Sequence, residues 1–227
     1  MLSACHQWLE VDLGAPHSTI GWTLIGGGRY HAQSVFWHRV SDKDLTPDID
    51  AKRFFEERRW QRVGNLQGIG FLTGSPLTEF VDKRRDRGTF WARCVATVGL
   101  RNALRIGDPP NPATTGPGTV NIFLQTSCAL NECASIEALS LVAEARTLAI
   151  LEGNVTSNIG HAIATGTGTD CIVVASPIPA NSSLAITYAG KHTEVGHLIG
   201  SCVYDALVQG IERWKQCQFE RSASRAP

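Results

Sequence analysis

Strands in this sequence come in pairs and do not alternate strictly with helices, a pattern that rules out most α/β architectures. Three short segments rich in β-branched or aromatic residues open the chain: Gln7 to Leu13, Thr19 to Ile25 and Gln33 to Val40. Turn signals separate them, and Gly26-Gly27-Gly28 is the tightest. Further strands are expected at Ile69 to Leu72, Trp91 to Val98, Val120 to Gln125, Cys171 to Ala175 and Leu184 to Tyr188. Helices are expected at Ala51 to Arg62, capped by Pro47 to Asp50, and at Leu77 to Arg87, where Pro76 sits at the start. The strongest helix is Glu132 to Leu151, dominated by Ala, Leu and Glu, with Ile136, Leu139, Ala143 and Ile150 along one side. A last helix runs from Glu194 to about Trp214, with a polar, frayed tail after Gln218. This order predicts an α+β fold with a largely antiparallel or mixed β-sheet covered by helices, not a doubly wound parallel sheet. The loop from Gly107 to Gly118 holds four prolines and three glycines. It is too short for an interdomain tether, so residues 1–227 read as a single domain.

Charge narrows the partners. Lys+Arg and Asp+Glu both number 21, so the net charge is zero and no global field recruits nucleic acid or an anionic membrane. The expected partner is a small or neutral molecule, and a homo-oligomer is left open. Seven cysteines carry no CxxC pair, and most sit in apolar surroundings, which favours a reducing compartment. Leu2-Ser3-Ala4-Cys5 imitates a lipoprotein box, but no apolar run precedes it. No window approaches the ~18 apolar residues of a membrane helix, so the expectation is a cytoplasmic protein.

Chemistry concentrates in two segments. Ala164-Thr165-Gly166-Thr167-Gly168-Thr169-Asp170 puts three threonines, two glycines and an aspartate directly before the apolar strand at Cys171. Glycines allow close backbone approach, and threonine hydroxyls with N–H groups can surround an oxyanion. A Walker loop would need a lysine and a following helix, and both are missing. The second segment, Thr187-Tyr188-Ala189-Gly190-Lys191-His192-Thr193, ends an expected strand in a basic turn. If the two strands pair, Asp170, Lys191 and His192 become neighbours; otherwise Lys191 and His192 are a solvated turn. Glu144 in the long helix is a second catalytic carboxylate, or else lies on a solvated face or pairs with Arg146. Asn102 and Asn121, at strand ends, can orient an amide or satisfy a turn. Asp170 beside Cys171 raises that thiol's pKa and blunts it as a nucleophile. Trp22 and Trp37 flank the triple glycine, where they can stack on a planar ligand or fill the core. His192 and His197 are five apart, on different helix faces, which argues against a metal pair.

These residues resemble the adenosylcobinamide amidohydrolases, the CbiZ family. The resemblance rests on Ala164–Asp170 and on Tyr188-Ala-Gly-Lys-His-Thr193 with Gly196. Ile25–Gly28, Gly70–Thr73, Val98–Asn102, Thr119–Ile122 and Glu144–Thr147 support it. It covers most of residues 20–214. It implies hydrolysis of the amide joining the corrin's propionyl arm to aminopropanol, giving adenosylcobyric acid and the amino alcohol. It implies a corrinoid substrate and no cofactor or metal beyond the substrate's cobalt. In that frame His192, oriented by Asp170 or Glu144, moves protons. Lys191 and the loop of Thr165, Gly166, Thr167, Gly168 and Thr169 bind the carbonyl oxygen or nearby amides, with Asn121, Asn102, Gly27 and Gly28 as further substrate contacts. A non-catalytic corrinoid carrier or sensor and a nucleotide-phosphate binder are the competing classes.

Overall fold

The first two strands expected from the sequence form one long strand with a bend in it. The computed structural model describes residues 1–223 apart from 42, 47, 65, 66 and 111–117. After β1 (Leu2–Ala4), β2 runs from Trp8 to Trp22 and pairs antiparallel with β3 (Gly28–Arg39). The register shifts between Asp12 and His17, and Gly14 there has φ +75, a left-handed conformation that suits glycine. What the sequence presents as a turn is thus a bulge that bends the hairpin. The remaining strands are β4 (Gly68–Thr73), β5 (Val81–Arg87), β6 (Phe90–Val98), β7 (Ala103–Leu104), β8 (Val120–Thr126), β9 (Gly166–Thr167) and β10 (Cys171–Pro177). The helices are α1 (Ala51–Val63), α2 (Glu132–Glu152) and α3 (Glu194–Ala223).

The main sheet has the order β4-β3-β2-β10-β8-β6-β5, with β1 on β2. Two pairs, β3 with β4 and β8 with β10, are parallel and the rest antiparallel, the mixed α+β sheet expected. The sheet folds over on itself at the β2 bulge. Trp37 on β3 and Phe123 on β8 have two strands between them in the sheet order, yet their rings meet edge to face at 6.3 Å. Phe71 stacks on the other side of Trp37 at 4.9 Å. These rings, with Leu9, Val11, Val35, Val95 and Val173, form an inner core between the two halves of the sheet. Each buried ring contributes about 1.5–3 kcal/mol by leaving water.

Because strand side chains alternate, the opposite faces of both halves need covering. On one half α1 inserts Phe55 against Trp8, Ile25 and Phe36. Asp50 caps this helix by accepting from the N–H groups of Lys52 and Arg53; Pro47, part of the expected cap, lies outside the described residues. On the other half α2 and α3 pack over Cys94, Ile122, Leu124, Ile172 and Val174. The stripe that α2 buries is Ala134, Ala138, Leu141, Val142, Ala145, Ala149 and Ile150. Small residues let the helix approach the sheet closely, while Ile136, expected on the buried side, is 52% exposed.

Three expectations are corrected. Leu77 to Arg87 is not a helix: Glu79 N–H closes a turn on Pro76 O, and Val81–Arg87 is edge strand β5, paired with β6. Its Asp-Lys-Arg-Arg-Asp-Arg run reads as a solvated helix, but as an edge strand it discourages pairing with another chain. Cross-strand pairs such as Arg93–Asp82 at 2.7 Å hold it in place. Leu184 to Tyr188 is not a strand: β10 already has β2 and β8 on its two sides, so no edge is free for it. A 3-10 turn (Ser182–Leu184) and a single bridge from Ile186 to Leu130 occupy the segment instead. Finally α3 continues past Trp214 to Ala223. The expected Gly107 to Gly118 loop lies largely outside the described residues.

Candidate active site

Folding the sheet over leaves an opening between its two halves. One wall consists of Leu24, Val40, Ser41, Leu45, Leu72, Thr73 and Gly74. The other is the start of β8 and β10 with the turn before β7: Asn102, Gly118, Thr119, Asn121, Thr169 and Cys171. The cavity volume is about 410 Å³, and among the described residues no charged side chain lines it. Asn121 spans the two walls: its Nδ2 donates to Leu72 O at 2.7 Å, across three intervening strands. A carbonyl only accepts, so this bond fixes the amide's orientation and leaves Oδ1 as the free end. That Oδ1 is buried and has no partner among the described residues. Thr97 pairs with Asn121 across β6 and β8, so it shares the inward face, and its Oγ1 is likewise buried and unpartnered. Both residues are 1% exposed. Asn102, on the rim, has a side-chain amide with no hydrogen-bond partner among the described residues.

The Ala164–Asp170 segment is built as a brace behind this opening. Gly166–Thr167 pairs with Ala103–Leu104 as a two-residue ladder that the sequence does not announce. Thr165 Oγ1 accepts from Ile106 N–H, and Gly168 N–H donates to Asn102 O. Thr119 Oγ1 donates to Thr169 O at 2.7 Å and Thr169 Oγ1 to Gly118 O at 3.4 Å, clipping the loop to β8. Of the loop residues only Thr169 lines the cavity. Gly27 and Gly28 shape the β2–β3 turn without lining the cavity, while Leu24 of the same turn does.

Asp170 anchors the brace. Its carboxylate accepts from Thr167 N–H at 3.0 Å, from Val120 N–H at 3.1 Å and from the Thr167 hydroxyl. Arg146 of α2 completes the set at 3.1 Å, the two side chains being 4% and 17% exposed. Burial holds the Asp170 carboxyl above the ordinary aspartate value although the Thr167 hydroxyl and Arg146 pull it down. Gly166 leaves room for the pair: a Cβ there would lie 2.6 Å from Asp170 Oδ2. Cys171, one residue on, has its thiol pushed up to about 11, first by burial and then by the Asp170 charge. It is not a thiolate near neutrality.

The basic turn lies elsewhere. Lys191 forms an ion pair with Glu144, the side chains being 69% and 51% exposed. Both line a shallow groove on the helical layer with His197, Ser201 and Tyr204. Glu144 and Arg146 are two apart on α2 and so project to nearly opposite sides, one to solvent and one to Asp170. His192 is exposed and makes no hydrogen bond or ion pair among the described residues. The expected Asp170–Lys191–His192 cluster is therefore not assembled, because the strand pairing meant to build it does not exist. Trp37 is core and cannot stack on a ligand; Trp22 remains 43% exposed, its indole N–H donating to Asp170 O. Sequence reasoning missed Thr97, whose only signal is its place in an apolar strand. Among the described residues no group of three His, Cys, Asp or Glu side chains gathers as a metal cluster, and no helix is long and apolar enough to cross a membrane.

A half-open, largely apolar pocket whose described polar lining is neutral amides and hydroxyls is a site for an uncharged molecule with polar groups. Residues 2–218 match the family model described as adenosylcobinamide amidohydrolase, CbiZ. The chain belongs to this family of amidohydrolases, hydrolases acting on C–N amide bonds. It is 33% identical over 196 residues to the adenosylcobinamide amidohydrolase of Methanosarcina mazei, covering 84% of this chain and 88% of that one. It is 30% identical over 216 residues to that of Halobacterium salinarum, covering 89% and 84%. An uncharacterized protein of Methanocaldococcus jannaschii is 28% identical over 206 residues, covering 81% and 75%.

Proposed function

We propose that this enzyme hydrolyses the amide between the propionyl arm and aminopropanol of adenosylcobinamide at the opening between the sheet halves. The products are adenosylcobyric acid and the amino alcohol, and the reaction returns salvaged cobinamide to cobamide synthesis. The observation that carries the reading is the uncharged, hydrogen-bonding cavity spanned by Asn121, in a chain of this family. A volume of about 410 Å³ suits an amide-bearing arm, with the macrocycle resting outside on the rim. A corrinoid is fringed with neutral amides, which hydroxyls and asparagines recognise without charge. Asn102, Asn121, Thr119 and Thr169 are the proposed substrate contacts. Asp170 is a positioning residue: it holds Thr167 and the start of β8, and Arg146 neutralises it. No cofactor beyond the substrate's cobalt is assigned.

The test is incubation of purified protein with adenosylcobinamide, with adenosylcobyric acid and aminopropanol measured by mass spectrometry. Catalytic appearance of both supports the reading. Binding without cleavage makes the protein a corrinoid carrier instead. His192→Ala and Asn121→Leu locate the chemistry: loss only in the first moves it to the turn on the helical layer.

A further inference from the structure

Two buried oxygens, one of them on a residue that lines the cavity, set a requirement on the ligand that the family name does not. Asn121 Oδ1 and Thr97 Oγ1 are neighbours across β6 and β8, nearly fully buried and without partners. A buried acceptor left unpaired is costly unless something else satisfies it. Asn121 cannot turn its amide over to escape, because Nδ2 is committed to Leu72 O. Asn121, which lines the cavity, therefore holds a buried acceptor that is fixed in direction. Asn102, which lines the same cavity and whose side-chain amide has no partner among the described residues, can supply a donor. An acceptor and a donor on residues lining one cavity are what the N–H and C=O of an amide call for.

We infer that Asn121 Oδ1 accepts the N–H of the substrate's amide and that this bond selects amides carrying a hydrogen on nitrogen. The inference rests on the cavity being the substrate site, as proposed above. It makes Asn121 a specificity determinant: an ester, or an amide methylated on nitrogen, brings no hydrogen and leaves Oδ1 unpaired on entry. A site built to hydrogen-bond one group rejects an analogue lacking it far more strongly than a site that merely fits its shape.

The experiment compares adenosylcobinamide with its N-methylated amide analogue, binding being followed by quenching of tryptophan fluorescence within the first turnover. The wild-type protein is expected to bind the N-methyl analogue at least ~100-fold more weakly. Asn121→Leu is expected to bind both alike. Equal binding of the two by the wild-type protein overturns the inference without any variant, so poor folding of Asn121→Leu does not shield it. Discrimination retained in a folded Asn121→Leu overturns it as well. If the wild-type protein discriminates but releases no aminopropanol, the hydrolytic reading fails while the recognition by Asn121 stands.

Discussion

Replacing Arg146 with Met tests the brace behind the site. The pair is buried, so loss of the cation leaves the Asp170 carboxylate with its hydrogen bonds from Thr167 and Val120 but without a counter-charge. Breaking a buried pair from one side costs about 3–5 kcal/mol, a large part of a typical total of ~5–15 kcal/mol. For a chain of this size the midpoint of thermal unfolding falls by roughly 10 °C. Asp170→Asn in the same background removes the stranded charge, so the double variant recovers most of the loss. pH supplies a second check. The Asp170 carboxyl is held above its ordinary value of 3.8, with burial the largest cause. Between that value and the raised one the native state binds the proton better than the unfolded chain. The stabilisation is fully present below the ordinary value and is lost as pH rises through the native one. Taking Arg146 away removes a downward pull and widens the window, so the penalty of Arg146→Met is largest at neutral pH and shrinks on acidification. Urea unfolding of the four proteins of the cycle at pH 7 and pH 5 measures both effects. A coupling below about 0.5 kcal/mol, or a penalty that grows on acidification, refutes the reasoning.

Other outcomes follow from the same geometry. Gly166→Ala crowds Asp170 Oδ2, which accepts from Thr167 N–H and pairs with Arg146, and is expected to cost about 1–3 kcal/mol by denaturant unfolding; an unchanged midpoint contradicts the close approach. Lys191→Ala and Glu144→Gln remove a solvent-exposed pair and should each change stability by less than ~0.5 kcal/mol. His192→Ala is expected to keep near-normal release of aminopropanol, whereas a loss of ~100-fold identifies a proton carrier on the helical layer. Alkylation of Cys171, followed on its own peptide by mass spectrometry, should rise with pH without a plateau before about 11 and be slowed by adenosylcobinamide. A plateau near pH 8 contradicts the burial of that thiol.

Local signals announce much of this fold and little of its closure. β8, β10 and α2 are legible because a long apolar strand and an Ala-Leu-Glu helix bury one consistent face each. β5 is not, because its only deeply buried side chain is Val81 and pairing with β6 overrides a helix-like charge pattern. Leu184 to Tyr188 has strand composition, but whether an edge is free to receive it is a property of the whole sheet. The site shows the same division. Asn102, Asn121 and Thr169 are visible as polar residues at strand ends, and all three reach the cavity. Asp170 is visible as an important carboxylate, but its partner Arg146 comes from a helix 24 positions back, on the face opposite Glu144. Thr97 is hidden because nothing in Ala96-Thr97-Val98 separates a satisfied threonine from an orphaned one.

The bulge at Gly14 also bears on when the site comes into being. Its walls belong to residues 24–74 and 102–171, and the Asn121–Leu72 contact closes a chain segment of 49 positions. Contacts of that separation form late and slowly, since the loop entropy precedes the reward. Each half of the sheet can build its own strand ladders first, yet the cavity exists only once the halves have docked. A ligand held between them acts as a clasp and adds about 2.7 kcal/mol to the closed state at one hundred times its dissociation constant. Resistance to proteolysis should therefore climb with corrinoid concentration, most of all at the seam where the hairpin bends.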